Sequence, residues 1–104
     1  MGNYVVEVTQ AAQNDLQAII RYLEHDVLSP TTALSFLEGF EHEMGTLCYM
    51  PQKFQLVNDD YLASKGYRFT RYKKYLIFYT ISESVSKVFI HRILHASRKW
   101  ESLL

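Results

Sequence analysis

The sheet of this protein can be recognised in residues 67–94, which read YRFTRYKKYLIFYTISESVSKVFIHRIL. Residues 75–81 are almost entirely apolar, as expected of a central strand. Residues 67–72 alternate aromatic and basic side chains, and residues 87–94 form a third strand-like run. Two short polar turns separate these three runs, at residues 73–74 and 82–86. The region therefore predicts three consecutive strands joined by tight turns.

Strand alternation assigns the side chains of these runs to the two faces of the sheet. In the first run, one face should carry Tyr67, Phe69 and Arg71, and the other Arg68, Thr70 and Tyr72. In the last run, Val88, Ile90 and Leu94 should face one way, and Phe89, His91 and Ile93 the other. The same alternation predicts that His91 and His95 share a face, with Ile93 between them.

Upstream of the sheet region, the sequence predicts one strand followed by two helices. Tyr4–Val8 is rich in β-branched residues, and Thr9 is a suitable N-cap for a helix over residues 10–26. The apolar residues of that helix recur at helical spacing: Ala12, Leu16, Ile19, Ile20 and Leu23. Ser29-Pro30 begins a second helix, which Pro51 ends. Because few residues separate the two helices, they should form an antiparallel hairpin.

Two segments complete the predicted architecture. Residues 52–65 should be irregular, and Ala96–Leu104 should form a short terminal helix that Trp100 and Leu103 anchor. The element order is β-α-α-β-β-β with that terminal helix. The predicted fold class is α+β, in which the N-terminal helical hairpin packs on a mostly antiparallel sheet. A chain of 104 residues has room for one domain, which we expect to span residues 1–104.

Composition excludes several classes of protein. Cys48 is the single cysteine, so it can form no internal disulfide, and a lone cysteine makes no metal site. The chain has no apolar run near the roughly 20 residues that span a bilayer, and its N-terminus does not resemble a secretory signal. We therefore expect a cytoplasmic protein that needs no membrane, metal or cofactor.

The net charge of zero conceals a strong asymmetry along the chain. Residues 1–64 carry a balance of −7 and residues 65–104 a balance of +7. Six basic residues of the second half are interleaved with Tyr67, Tyr72 and Tyr75: Arg68, Arg71, Lys73, Lys74, Arg92 and Arg98. Such a set could hold phosphates and stack on bases, or bind another anionic target. One alternative is that the acidic half packs on the basic half, and another is that the basic residues form a solvated sheet edge, which lysines protect.

Several motifs, taken in order, resemble the RelE/ParE superfamily of small bacterial toxins, and its ParE branch more closely. The first helix carries Asp15-Leu16, Ile19-Ile20 and Tyr22-Leu23. The second begins with Ser29-Pro30 followed by Ala33 and Phe36, and ends at Leu47-x-x-x-Pro51. The strands carry Tyr67-Arg68, Tyr75-x-x-Phe78-Tyr79-x-Ile81 and Arg92-Ile93-Leu94-His95-x-x-Arg98. One departure is Lys99, which stands where the family usually has an acidic residue.

The resemblance implies the toxin component of a type II toxin–antitoxin module, assembled with a cognate antitoxin in a hetero-oligomer. The ParE branch is associated with poisoning DNA gyrase, and the RelE branch cuts mRNA in the ribosome. We expect a ParE-like inhibitor of gyrase. An mRNA endonuclease is the alternative, so whether the chain is an enzyme stays open. A third hypothesis is a binding module without toxicity.

The residues that RelE-like nucleases use are incompletely matched here. Arg68, Arg92 and His95 are the candidates for catalysis, because RNA cleavage needs cations and a proton-transferring group around one phosphate. Thr70 and Leu76 stand where that branch carries further cations, and Trp100 stands near its terminal tyrosine. These departures favour the inhibitor over the nuclease.

Large apolar residues outside the predicted helices and strands could bind the antitoxin. The candidates are Phe54, Leu56 and Trp100. An amphipathic helix in a groove, or a strand added to a sheet edge, are the two docking modes that we expect.

Overall fold

The computed structural model describes residues 3–26 and 29–104, and it contains a four-stranded sheet with two long helices on one face. The strands are β1 (Val5–Val8), β2 (Arg68–Tyr72), β3 (Tyr75–Ser82) and β4 (Lys87–His95). The helices are α1 (Gln10–Arg21), α2 (Pro30–Thr46) and a short α3 (Asp60–Ser64). A π-helical turn, Tyr22–Asp26, extends α1, and 3₁₀ turns lie at Pro51–Lys53 and Trp100–Ser102. The predicted α+β fold is confirmed.

The sheet has the strand order β1-β4-β3-β2. The pairs β2–β3 and β3–β4 are antiparallel, whereas β1 lies parallel to β4. The sheet is therefore mostly antiparallel, as predicted. Its centre is Ile77-Phe78-Tyr79 of β3, three residues with no exposed surface.

The two long helices begin where their capping residues predict. The Thr9 hydroxyl accepts a hydrogen bond from the backbone N–H of Ala12 at 3.3 Å, and Ser29 caps α2 in the same way through Thr32 at 3.3 Å. The buried faces of both helices cover the sheet with Ala12, Ile19, Phe36, Phe40 and Met44. Burial of these side chains is the main force that holds the hairpin on the sheet.

A β-bulge in β4 overturns part of the predicted face assignment. Phe78 pairs with Arg92, but Tyr79 pairs with Ile90, so His91 is an extra residue without a partner in β3. After the bulge, Ile93 joins Ile90 in the core under the helices, and Leu94 lies in the core on the opposite face. The prediction that Ile90 and Leu94 share a face is therefore wrong.

The bulge also separates the two histidines, which were predicted to share a face. The ring centroids of His91 and Tyr67 are 5.1 Å apart. Tyr67 packs against the core on the outer face of the sheet, which is the face that the two long helices do not cover. His95 lies 5.5 Å from the ring of Tyr75, which packs against the core under the helices. That prediction is wrong, because the extra residue reverses the alternation beyond it.

The outer face of the sheet has a second, smaller core. It contains Val57, Leu62, Phe78 and Leu94, with Trp100 and Leu103 packed against it. The segment predicted to be irregular therefore contains α3, which Asp59 caps, and a bridge from Leu56 to Arg68 at the edge of β2. The terminal helix is shorter than predicted, since it consists of the single turn Trp100–Ser102. None of the helices described is long and apolar enough to cross a membrane.

Candidate functional site

The turn between β2 and β3 presents two ammonium groups at one end of the sheet. Tyr72 pairs with Tyr75, so Lys73 and Lys74 form a two-residue hairpin turn, as predicted. Lys73 adopts a left-handed φ of 53°, and its carbonyl accepts a hydrogen bond from Arg71 Nε at 2.8 Å. Both lysines are exposed.

The register of β3 and β4 brings further basic residues to this turn. His95 pairs with Tyr75, and the N–H of Ala96 donates to the Lys74 carbonyl at 2.8 Å. The N–H of Arg98 then donates to the His95 carbonyl at 3.0 Å. The structure thus gathers five of the predicted residues at one end of the sheet, here called the basic end: Arg71, Lys73, Lys74, His95 and Arg98.

A cleft of about 720 Å³ opens beside the basic end, between the sheet and the start of α2. Lys73, Lys74 and His95 line its polar side. The remaining lining residues are aromatic, hydroxylated or aliphatic: Tyr22, Phe36, Tyr75, Thr31, Thr32, Ser35 and Leu23. Its volume lies within the range of small-molecule sites, which is about 300–1,000 Å³.

His95 is held in one tautomer within this cleft. Its Nδ1 atom accepts the backbone N–H of Ser97 at 3.1 Å and lies 2.7 Å from the Ser97 hydroxyl. Because Nδ1 is an acceptor, the neutral ring carries its proton on Nε2. Burial, and secondarily Tyr22, raises the pKa of Tyr75, so that ring remains an uncharged phenol at neutral pH.

Arg92 lies away from the basic end and has its hydrogen bonds satisfied within the protein. Its Nε and Nη2 atoms donate to the two carboxylate oxygens of Asp15 at 2.7 and 3.0 Å, and Nη1 donates to the Leu103 carbonyl at 3.1 Å. The hydrogen bond from Arg92 to Asp15 raises the pKa of Arg92. This guanidinium therefore joins α1, β4 and the C-terminal segment.

Arg68 lies at the far end of β2 from the basic end. Its Nη1 atom donates to the carbonyls of Phe54 at 2.6 Å and Gln52 at 3.3 Å. It pairs with Tyr79, whose pKa burial raises to about 12 although the Arg68 charge acts in the opposite direction. The Tyr79 hydroxyl donates to the Pro51 carbonyl at 2.6 Å.

The three candidates for catalysis are not brought together. Arg68 pairs with Tyr79 and His95 with Tyr75, which places them four residues apart along β3, or about 13 Å. Arg92 pairs with Phe78, on the opposite face of the sheet from His95. The basic end can bind an anion, but these three side chains do not surround one phosphate.

Comparison with known proteins identifies the family. Residues 6–100 match the family described as the ParE toxin of the type II toxin–antitoxin system parDE. This chain belongs to the ParE toxin family. No curated protein matches the sequence at a significant level.

Two solved structures share the fold of this chain. A chain of the chromosomal ParDE toxin–antitoxin system from P. aeruginosa is similar with a TM-score of 0.72 at 16% identity, over 89% of this chain and 96% of that chain. A chain of the toxin–antitoxin complex RelBE2 from Mycobacterium tuberculosis is similar with a TM-score of 0.60 at 22% identity, over 89% of this chain and 98% of that one. At such low identity, these similarities establish the fold.

The residues predicted to bind an antitoxin lie in different parts of this ParE-family chain. Phe54 packs against the core under the helices. Trp100 lies on the opposite face, 5.1 Å from the ring of Phe78. Leu56 is 41% exposed at the edge of β2 and is the most accessible of the three.

Asp15 lies within one of the ParE-like motifs, but its structural role was not predicted from the sequence. Its carboxylate accepts the N–H of Ile93 at 2.9 Å in addition to the Arg92 guanidinium. The spacing of the sequence indicates this role, because Asp15 follows Ala12 by three residues and precedes Ile19 by four. It therefore lies on the apolar face of α1. A carboxylate on a buried face requires a partner.

Proposed function

We propose that this ParE-family toxin arrests growth by binding DNA gyrase, and that a cognate antitoxin neutralises it in a cytoplasmic hetero-oligomer. The observation that carries the proposal is the basic end, an exposed group of four cations and His95. Neither ion pair of the described residues involves the four cations. They are therefore available to an anionic partner, and electrostatic attraction of this kind favours rapid association.

The separation of the candidate catalytic residues favours binding over nuclease chemistry. Cleavage by the 2′-hydroxyl route needs a base and cations within hydrogen-bonding reach of one phosphate. The guanidinium of Arg92 is engaged by Asp15 and Leu103, and Arg68 is engaged by two backbone carbonyls. Recruiting either residue to a phosphate would break these hydrogen bonds. An inhibitor that acts by binding alone does not need to break them.

The antitoxin proposal rests on the family and on its solved relatives, which are parts of toxin–antitoxin systems. Leu56, Phe54 and Trp100 are the proposed contacts on this chain. Leu56 lies beside β2, where backbone hydrogen bonds already extend the sheet from Val57 to Tyr67 and from Phe69 to Gln55. A flexible antitoxin segment could add to this edge or cover it.

The decisive experiment is induction of the chain without an antitoxin, with plasmid supercoiling and mRNA integrity measured in the same cells. Growth arrest with lost supercoiling and intact mRNA is expected. Growth arrest with cleaved mRNA would instead establish the endonuclease. Normal growth of cells that contain the folded protein would favour the non-toxic binding module.

A charge-reversal pair tests the role of the basic end. The double variant K73E/K74E should lose inhibition of purified gyrase by at least about tenfold, because it replaces attraction with repulsion at the proposed interface. The control is K65E/K99E, which also reverses two charges, at exposed lysines outside the basic end. Equal inhibition by both variants would contradict the proposed surface.

A further inference from the structure

We propose that the cleft beside the basic end binds a nucleotide, with the phosphate at Lys73, Lys74 and His95 and the base against the aromatic wall. Such a site is additional to the gyrase target and does not require it. The ligand could be a free nucleotide or the end of a nucleic-acid strand, because both offer the same phosphate and the same planar base.

The polar side of the cleft provides hydrogen-bond donors. Lys73 and Lys74 each carry an ammonium, which donates and cannot accept. Ser97 occupies Nδ1 of His95, so the ring has only its Nε2–H to offer a ligand. Among the lining side chains that the structure describes, none is Asp or Glu. Three donors that line one cleft, with no carboxylate among its described lining side chains, fit an anion with several acceptor oxygens, as a phosphate has.

Aromatic side chains form another part of the cleft lining. Tyr75 is fixed between Phe36 at 5.6 Å and His95 at 5.5 Å, with interplanar angles of 80° and 86°. Tyr22, by contrast, is 51% exposed and makes no ring–ring contact among the described residues. An aromatic side chain in a cleft with a free face is a suitable platform for stacking a base, whatever its sequence.

The size and the remaining polar groups suit a nucleotide better than an acidic peptide. About 720 Å³ accommodates one nucleotide, and the hydroxyls of Thr31 and Ser35 can bond to the edge of a base or a ribose. A carboxylate of a peptide would satisfy the lysines and leave the exposed face of Tyr22 without a planar partner. The combination of cations, hydroxyls and a free aromatic face is what distinguishes the two ligands.

The test is calorimetric titration of the purified chain, residues 1–104, with AMP, adenosine and a 5′-phosphorylated oligonucleotide of deoxyadenosine. We expect binding of AMP, of the oligonucleotide or of both, and at least about tenfold weaker binding of adenosine. AMP binding identifies a free nucleotide as a sufficient ligand, whereas binding of the oligonucleotide without AMP identifies a strand end. Equal affinity for AMP and adenosine would overturn the proposal.

Variants locate the site. K74Q and Y22A should each weaken binding of the phosphorylated ligand on the order of tenfold, since each removes one of its proposed contacts. K99Q is the matched control and should bind as the original chain does. Thermal unfolding of each variant verifies that it is folded. If K74Q and Y22A bind like K99Q, or if a peptide of Asp, Glu and Leu binds where no nucleotide does, the proposal is wrong.

Discussion

Gly39 lies within α2, where the aromatic ring of Tyr72 crosses the helix. The Tyr72 hydroxyl donates to the Phe36 carbonyl at 2.9 Å, and a Cβ atom at position 39 would collide with that hydroxyl. The ring is fixed by edge contacts with Phe36 and Phe40 at 5.0 and 6.0 Å, so it cannot easily move away. The absence of a side chain at position 39 is therefore what allows β2 to approach α2.

Gly39→Ala should consequently lower the free energy of unfolding. The clash costs about 1–3 kcal/mol, and the better helix propensity of alanine recovers at most about 1 kcal/mol. Gly45→Ala in the same helix is the control, because a Cβ at that position would meet no neighbouring segment within 4 Å. Urea denaturation should show a loss for the first variant and a gain of about 0.5–1 kcal/mol for the second. A higher free energy of unfolding for both variants would show that the Tyr72 ring can move away from a Cβ atom at position 39.

His91, the extra residue of the bulge, makes stability depend on pH. Burial lowers the pKa of His91 below the ordinary value of 6.5, and its Nε2 lies 2.8 Å from the Thr80 hydroxyl. The unfolded chain therefore binds a proton more readily than the folded chain, and stability is lost as the pH falls through about 6.5. The free energy of unfolding should decrease between about pH 7 and pH 5.

Urea denaturation of His91→Gln over that range measures the contribution of His91. The variant should lose much of the pH dependence, whereas His42→Gln, at an exposed position of α2, should retain it. Identical pH profiles for the two variants would assign the effect to another group.

At the scale of elements, two ion pairs of unequal burial join β4 to other elements. The pair of Asp15 and Arg92 connects α1 to β4, and its side chains are 15% and 23% exposed. The pair of Glu7 and Lys87 connects β1 to β4, and its side chains are 47% and 37% exposed. Desolvation strengthens the attraction within an ion pair and raises the cost of losing one partner. The pair of Asp15 and Arg92 should therefore contribute more to the free energy of unfolding than the pair of Glu7 and Lys87.

Asp15→Asn should lower the free energy of unfolding by about 2–3 kcal/mol, since it removes the charge that a partly buried guanidinium requires. Glu7→Gln is the matched control and should cost under about 1 kcal/mol, as exposed pairs do. Thermal unfolding of both variants at neutral pH compares them directly. Equal losses would mean that burial does not decide the strength of these pairs.

The elements also show how far the sequence predicts the fold. Thr9 and Ser29 predict both helix starts correctly, and the apolar run of β3 predicts the sheet centre, because caps and periodicity are local signals. The bulge at His91 is not predictable from local pattern, since it depends on how β4 pairs with β3. The short α3 escapes prediction because its cap, Asp59, stands in a polar stretch with no long apolar periodicity after it.

For the candidate site, the sequence names candidate residues but does not predict their arrangement. Lys73 and Lys74 are predicted as the turn because they separate two strand-like runs, and they form that turn in the structure. His95 reaches them only through the register of β3 and β4, which no local pattern specifies. The charge of Arg92 makes it a candidate in the sequence, but its partner Asp15 lies 77 residues away along the chain.

Across the whole molecule, the charge asymmetry of the sequence persists as an asymmetry of surface. Both ion pairs within residues 3–26 and 29–104 join the acidic half to the basic half. The four cations of the basic end take no part in them. The packing of one half on the other therefore neutralises part of the charge and leaves a cationic surface at one end of the sheet. This arrangement combines features of both interpretations of the charge asymmetry, internal packing and a basic surface.

The parallel pairing of β1 with β4 has a consequence for the order in which the protein can be made. Val5–Val8 is synthesised before the other strands, yet its partners, residues 87–90, belong to the strand that is synthesised last. Until β4 has been synthesised, β1 has no neighbouring strand and β3 has an open apolar edge. Formation of the native sheet therefore requires closure of a loop of about eighty residues between β1 and β4. A chain that ends before β4 therefore cannot form the four-stranded sheet, and both cores lose the side chains that β4 contributes.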